Sequence, residues 1–272
     1  MIQSFHFLLP TKIRYGAGML RVLGEELRLL NAKKVMIITD KGVAGTGMIK
    51  AAADILNKEG IPFIIYDEIE ANPKDYNVEA CAEKVREEAA DTLVAFGGGS
   101  PIDAAKAVAV LARQGGRIRN YQGTGKIKDD CLPILTIPTT AGTGSEVTFS
   151  SVITDTTERF KFTIKSTAIA AKTAILDPEL TLTVPPLTTA ATGIDALTHA
   201  IEGYTARCTE PIAEALGLYA VEFIAKNIAE AVRNGENLEA RNGMMMGSLL
   251  AGLSFSHADV ASVHCMAEAL GS

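Results

Sequence analysis

Between residues 35 and 137, short β-branched runs alternate with amphipathic helical patterns, and this alternation constrains the chain more than any other feature. Val35-Met36-Ile37-Ile38-Thr39 is long enough for a buried strand and too short for a helix. Residues 47–58 then place Met48, Ala51, Ala52, Ile55 and Leu56 at helical spacing. Ile61 to Tyr66 reads as the next strand, and Val78 to Ala89 as a helix with a charged outer face. Thr92 to Phe96, Pro101 to Ala112 and Leu132 to Ile137 continue the series as strand, helix and strand. Strands that are apolar throughout are buried on both faces, so the pattern predicts an α/β fold: a parallel sheet with helices on each side.

Around this unit, Phe5 to Tyr15 reads as an extended pair of segments and Met19 to Leu30 as a helix. The Thr-, Val-, Ile- and Phe-rich stretch 147–184 reads as a few extra strands. From Pro185-Pro186 onward only helical patterns follow: Ala190–Tyr204, Glu210–Ala231, Leu238–Ser256 and Ala261–Leu270. The double proline stops the preceding strand and starts the helices. This predicts an α/β domain over 1–185 and an all-α domain over 186–272.

Phe96-Gly97-Gly98-Gly99-Ser100-Pro101-Ile102-Asp103 falls where a strand turns into a helix. Ser100 is a natural N-cap, Pro101 suits the first helical position, and Asp103 completes a capping-box-like S-x-x-D. The glycines permit close approach of a ligand, and the free N–H groups of the helix start suit a pyrophosphate, although a well-capped turn without ligand has the same look. The segment is not a GxGxxG fingerprint. A second polar loop, Pro138 to Glu146, brings Thr139, Thr140, Thr143 and Ser145 to the end of the following strand, where ligands of open α/β sheets bind. Asp40 closes the strand at 35–39. An acid there can accept hydrogen bonds from an adenosine ribose and repel a 2′-phosphate, favouring NAD over NADP, or it can simply start the turn at Lys41-Gly42.

Four histidines are present, at 6, 199, 257 and 264. Asp195 and His199, four residues apart, stack on one helical face about 6 Å from each other. They can share a divalent cation or only a local hydrogen bond. His264 lies among small and apolar neighbours, where it is either a third ligand or a satisfied core histidine. Together the three form a two-His, one-carboxylate set suited to ferrous iron or zinc. His257 reads as structural or substrate-facing. The net charge of −6 argues against nucleic-acid or anionic-membrane partners, and four cysteines without a CxxC pair indicate neither a disulfide framework nor a thiolate zinc site. The longest apolar-looking run, Met244 to Phe255, is too short to span a bilayer, and no secretory signal is evident at Met1 to His6, so a cytoplasmic protein is expected.

Five segments in this order resemble the iron-containing (group III) alcohol dehydrogenases: Gly97 to Lys106, Pro138 to Glu146, Asp177-Pro178-Glu179-Leu180, Gly193 to Glu202, and Val263-His264-Cys265-Met266-Ala267. The likeness covers essentially the whole chain. It implies a dinucleotide-binding domain and a helical domain with the active site between them, and Asp195, His199 and His264 as metal ligands and catalytic centre. It also implies NAD contacts from Asp40, Asn72, Gly98, Gly99, Ser100, Asp103, Thr139, Thr140, Thr143, Ser145, Lys161 and Leu180. The activity implied is NAD(H)-linked hydride transfer between a small alcohol and its aldehyde or ketone, with Fe²⁺ or Zn²⁺, in a homo-oligomer such as a dimer. Family members carry a fourth ligand, a His in a Pro-His-Gly segment after the third, which these 272 residues do not reach. The chain is therefore expected to be a C-terminally truncated member. Glu268 stands where many members have a His one turn after the third ligand. Two alternatives are an inactive NAD-binding fragment and a lyase resembling dehydroquinate synthase. The lyase's sugar-phosphate substrate would call for clustered cations, whereas residues 186–272 hold only Arg207, Lys226, Arg233 and Arg241.

Overall fold

A computed structural model describes residues 4–128 and 130–271. Strand β1 (Lys12–Tyr15) leads into a 3₁₀ turn and α1 (Leu23–Leu29). There follow β2 (Val35–Ile38), α2 (Lys41–Ala44), α3 (Met48–Lys58), β3 (Phe63–Tyr66), α4 (Asp75–Glu87), β4 (Thr92–Gly97) and α5 (Gly99–Gln114). Next come β5 (Gly123–Thr124), β6 (Ile134–Pro138), the hairpin β7 (Ser150–Asp155) and β8 (Phe160–Lys165), and β9 (Thr173–Leu176). Four helices complete the chain: α6 (Pro186–Thr205), α7 (Pro211–Arg233), α8 (Leu238–Ala258) and α9 (Ser262–Leu270).

The main sheet has six strands in the order β1-β9-β6-β4-β2-β3, every neighbouring pair parallel. Alternate side chains of one strand go to opposite faces, which explains the two cores. Met36, Ile38, Leu93 and Ala95 pack under α4 and α5 on one face. Val35, Ile37, Val94 and Phe96 pack with Leu23, Leu27, Ala52 and Leu56 on the other. From β2 the chain runs outward to β3 and then returns to place β4 on the far side of β2. The C-terminal ends of β2 and β4 therefore flank a switch point, where the diverging connections leave a crevice. Asp40 and the glycine turn sit at these two ends.

The three-stranded sheet β5-β8-β7 lies beside α5. Helices α6, α7 and α8 pack through small residues, Ala196, Ala200, Ala220 and Ala251 with Ile224 and Met244. Met245, Leu249 and Leu253 of α8 join the helices to the 3₁₀ turn at Val147 and to the sheet at Ala174 and Leu176. Close contact there requires glycine on both sides. Gly144 has φ +59°, and a Cβ on Gly252 would lie 2.9 Å from the Gly144 Cα.

Several local expectations are corrected. Helix α5 starts at Gly99 with Gly98 as N-cap, so Ser100 and Pro101 lie inside the first turn. Gly97, at φ +155°, reverses the chain early enough for this. The Ser100 hydroxyl instead accepts from the Asn72 N–H at 3.1 Å. Asp103, rather than closing a capping box, accepts from Ser145 Oγ and from the Val152 N–H. Of the extended pair expected over 5–15 only Lys12–Tyr15 is a strand, because only these residues reach β9. The helix expected over 19–30 is 3₁₀ up to Val22. The double proline follows a 3₁₀ turn, Pro178–Thr181, rather than a strand; Asp177 caps that turn through the Glu179 N–H.

Candidate active site

A cleft of about 1690 Å³ runs from the sheet's switch point to the faces of α6, α8 and α9. Its sheet side is the glycine turn and the second polar loop. Gly98 and Gly99 face Thr140 and Thr143 so closely that Cβ atoms would come within 3.2 and 2.6 Å of those side chains. Side chains on the turn would thus fill the space over the N-terminus of α5, where unpaired N–H groups and the helix dipole favour an anion. That cradle fits the pyrophosphate of a dinucleotide. Asp40 caps α2 with Oδ1 on the Val43 N–H at 2.9 Å, while Oδ2 stands 3.4 Å from the position of a Cβ on Gly97. It therefore starts the turn and also lines the cleft. Asn72 accepts from Lys161 Nζ at 3.0 Å, and both line the cleft.

Below this surface lies a buried ionic cluster. Lys106, on α5, donates to the Ser145 carbonyl at 2.7 Å, Ser145 Oγ at 3.1 Å, Thr148 Oγ1 at 2.8 Å and the Ser150 carbonyl at 2.8 Å. Burial pushes its ammonium down to about 8, against the pull of Asp103 and Glu146. Burial likewise raises Asp103 and lifts Glu146 to about 7. The cluster ties the glycine-turn helix to the second loop.

Across the cleft, one face of α6 carries Thr188, Thr192, Asp195 and His199, and α9 presents His264. One ligand atom each from Asp195, His199 and His264 lies within 4.8 Å of the others. Asp195 Oδ1 is 3.4 Å from His264 Nε2, and Asp195 Oδ2 is 3.8 Å from His199 Nδ1. The two imidazoles stack at 4.0 Å, and Phe255 stacks on the other face of His199 at 4.2 Å. Burial pushes His199 down to about 4, despite Asp195 nearby. His199 Nδ1 is buried and has no hydrogen-bond partner among the described residues. An imidazole kept neutral, with an orphaned nitrogen aimed at a carboxylate and a second imidazole, fits a divalent ion. For His264, burial pulls downward but the hydrogen bonds to Asp195 and Glu202 outweigh it and raise its pKa.

Every sequence-predicted residue except Leu180 lines this one cleft: Asp40, Asn72, Gly98, Gly99, Ser100, Asp103, Thr139, Thr140, Thr143, Ser145 and Lys161 with the three candidate ligands. Leu180 is buried in the core on the α1–α3 face of the sheet and is not among the lining residues. Glu268 also lines the cleft. His257 is structural: its Nδ1 meets the Leu253 carbonyl, its Nε2 meets the Leu8 backbone, and its ring stacks on Phe7 at 3.9 Å. Lys106, Glu146, Glu202 and Phe255 take part in the site without a role assigned from the sequence. The signal for Glu202 was its spacing, since 195, 199 and 202 follow i, i+4, i+7 on one helical face.

The sequence matches the family "Iron-containing alcohol dehydrogenase" over residues 10–178 and "Fe-containing alcohol dehydrogenase family, C-terminal" over residues 189–272. A choline dehydrogenase of Bacillus subtilis (strain 168) is 42% identical over 99% of this chain and 68% of its own length. A 1,3-propanediol dehydrogenase of Citrobacter freundii is 40% identical over 99% of this chain and 70% of its own. The crystal structure of sulfoacetaldehyde reductase from Bifidobacterium kashiwanohense, in complex with NAD⁺, superposes with a TM-score of 0.91 at 34% identity, covering 96% of this chain and 69% of that one. The chain belongs to the iron-containing alcohol dehydrogenase family. It is an oxidoreductase, a metal-dependent alcohol dehydrogenase linked to NAD.

Proposed function

We propose that Asp195, His199 and His264 hold the divalent ion, iron by family, and that the glycine turn and second loop hold NAD(H), for interconversion of a small alcohol with its aldehyde or ketone. The convergence of the three donors within 4.8 Å carries this reading. The division into a dinucleotide-binding domain over 1–185 and a metal-binding helical domain over 186–272 belongs to the same proposal. It is supported by the uninterrupted run of helices from Pro186.

When bound, the ion supplies Lewis-acid polarisation of an alcohol oxygen, and the nicotinamide supplies hydride acceptance. The chain's own residues supply placement. The N-terminus of α5 fixes the pyrophosphate, Thr139, Thr140 and Thr143 offer hydroxyls beside it, and Asp40 accepts from ribose hydroxyls at the far end. Ser145 and Asp103, bonded to each other, are stiffened by Lys106 beneath them. Phe255 and Val260 bring apolar surface beside the donors, which excludes water and suits a small uncharged alcohol. Of the four cations of the helical half, none lines the cleft. Arg241 is turned inward, donating to Thr189 Oγ1 and to the carbonyls of Val184 and Gly235. The helical half thus offers a sugar phosphate no cation at the cleft, where Lys41, Lys161 and Lys165 all come from the sheet half. A homo-oligomer and a cytoplasmic location are further parts of the proposal, resting on the family resemblance. No described helix is long and apolar enough to cross a membrane.

Asp195→Ala and His199→Ala should each abolish metal retention and NAD reduction with short alcohols while leaving NADH binding in place. Metal analysis of the purified variants, alongside NADH fluorescence, checks this. Near wild-type metal content and turnover in either variant would remove the assignment.

A further inference from the structure

Glu202 lies on α6, three residues beyond His199, and only 5% of it is exposed. Among the described residues, its side-chain hydrogen bonds lead to the segment that carries His264. Oε1 accepts from the Val263 N–H at 2.8 Å, and Oε2 accepts from the Ala261 N–H at 2.9 Å and from His264 Nδ1 at 2.6 Å. Two backbone N–H groups and an imidazole nitrogen are directed at it, so both of its oxygens serve as acceptors. The proton of a neutral His264 ring is therefore on Nδ1, and its Nε2 lone pair faces Asp195, 3.4 Å away. Helix α9 has no cap from its own N-cap residue, Ala261; Glu202 supplies the missing acceptor from the neighbouring helix.

We infer that Glu202 is a positioning residue for the metal site: it selects the tautomer of His264 that offers Nε2 and pins the start of α9 so that this nitrogen meets Asp195 and His199. The inference rests on the metal-site reading above. Its physical content is that imidazole ligands are oriented and made more basic by an acceptor on the other ring nitrogen. The chain places that acceptor on the same helix as two of the three donors, so ligands from α6 and α9 keep one register. A glutamine would not serve, since its single amide oxygen cannot face both Val263 and the Ala261–His264 pair. When its NH₂ faces His264 it favours the opposite tautomer.

The test uses Zn²⁺ alone as the probe, in competition with a chromophoric chelator, on the whole chain. Glu202→Gln should retain helix content and NADH binding while losing Zn²⁺ affinity by about 10- to 100-fold. Wild-type Zn²⁺ affinity in that variant overturns the inference. Loss of NADH binding and of the folded far-ultraviolet spectrum together with metal also overturns it, because the role would then be general packing. Independently of any substitution, ¹⁵N-NMR of the Zn²⁺-loaded wild type should show His264 protonated at Nδ1 and not at Nε2; the reverse tautomer overturns the inference. If the wild type takes up no Zn²⁺, the metal-site reading itself falls and this one with it, whereas tight wild-type binding unchanged by Glu202→Gln removes only the role of Glu202.

Discussion

Asp40 divides its two oxygens: Oδ1 caps α2, and Oδ2 lies in the cleft beside the glycine turn, where we propose that it meets the ribose. That division makes it possible to change one and keep the other, because serine is also a good N-cap. Asp40→Ser removes the charge that would repel a 2′-phosphate. Relief of as little as ~1.4 kcal/mol is a tenfold change, so kcat/KM with NADP should rise about tenfold or more relative to NAD. Steady-state kinetics with both cofactors reads this directly, and an unchanged ratio would show that the ribose is bound elsewhere. At this scale the sequence was informative about residue type but not about partners. Asp195 and His199 are legible as a pair because helical spacing is a local property. Their meeting with His264, 65 positions after His199 by residue number, needs α9 to fold back onto α6. The N-cap role that local spacing predicts for Ser100 fails for the converse reason: its hydroxyl serves Asn72, and nothing near it in sequence announces that bond.

Among the elements, α5 is the most constrained. Its first turn meets the ligand cradle, its length crosses the sheet core, and its Lys106 reaches into the second loop with four oxygens around Nζ. A buried ammonium is costly unless paired, and breaking such an arrangement from one side leaves the other groups uncompensated. Lys106→Met should therefore cost about 3–5 kcal/mol of stability, measured by urea unfolding, and should weaken NADH binding because Ser145 loses its support. A variant as stable as wild type would mean that the acceptors find water or each other. The strands and long helices were readable from apolar runs and 3.6-residue spacing, since their signals are periodic. The start of α5 was not: three glycines allow the chain to reverse at more than one place, and contact with Thr140 and Thr143 helps choose which.

For the molecule as a whole, function depends on two halves that meet along α8. Gly252 is a point of close approach, with Gly144 Cα, Gly144 O and Val147 Cγ2 within 3.0 Å of where its Cβ would be. Backbone on the opposing side cannot rotate away. Gly252→Ala should push the helices off the second loop, destabilise the fold by about 1–3 kcal/mol, and weaken NADH and metal binding together. Unfolding curves and paired titrations on one preparation test that coupling, and a loss confined to one ligand would contradict it. The alternation of strand and helix, the double proline and the order of five short motifs determined the architecture and pointed to fourteen residues that line the cleft, because periodicity, backbone freedom and donor chemistry are written locally. Strand order, the crevice between β2 and β4, the convergence of the three donors and the hidden partners Lys106 and Glu202 were decided only by tertiary structure. Each of those depends on which distant surfaces exclude water together, and one-dimensional spacing does not record that.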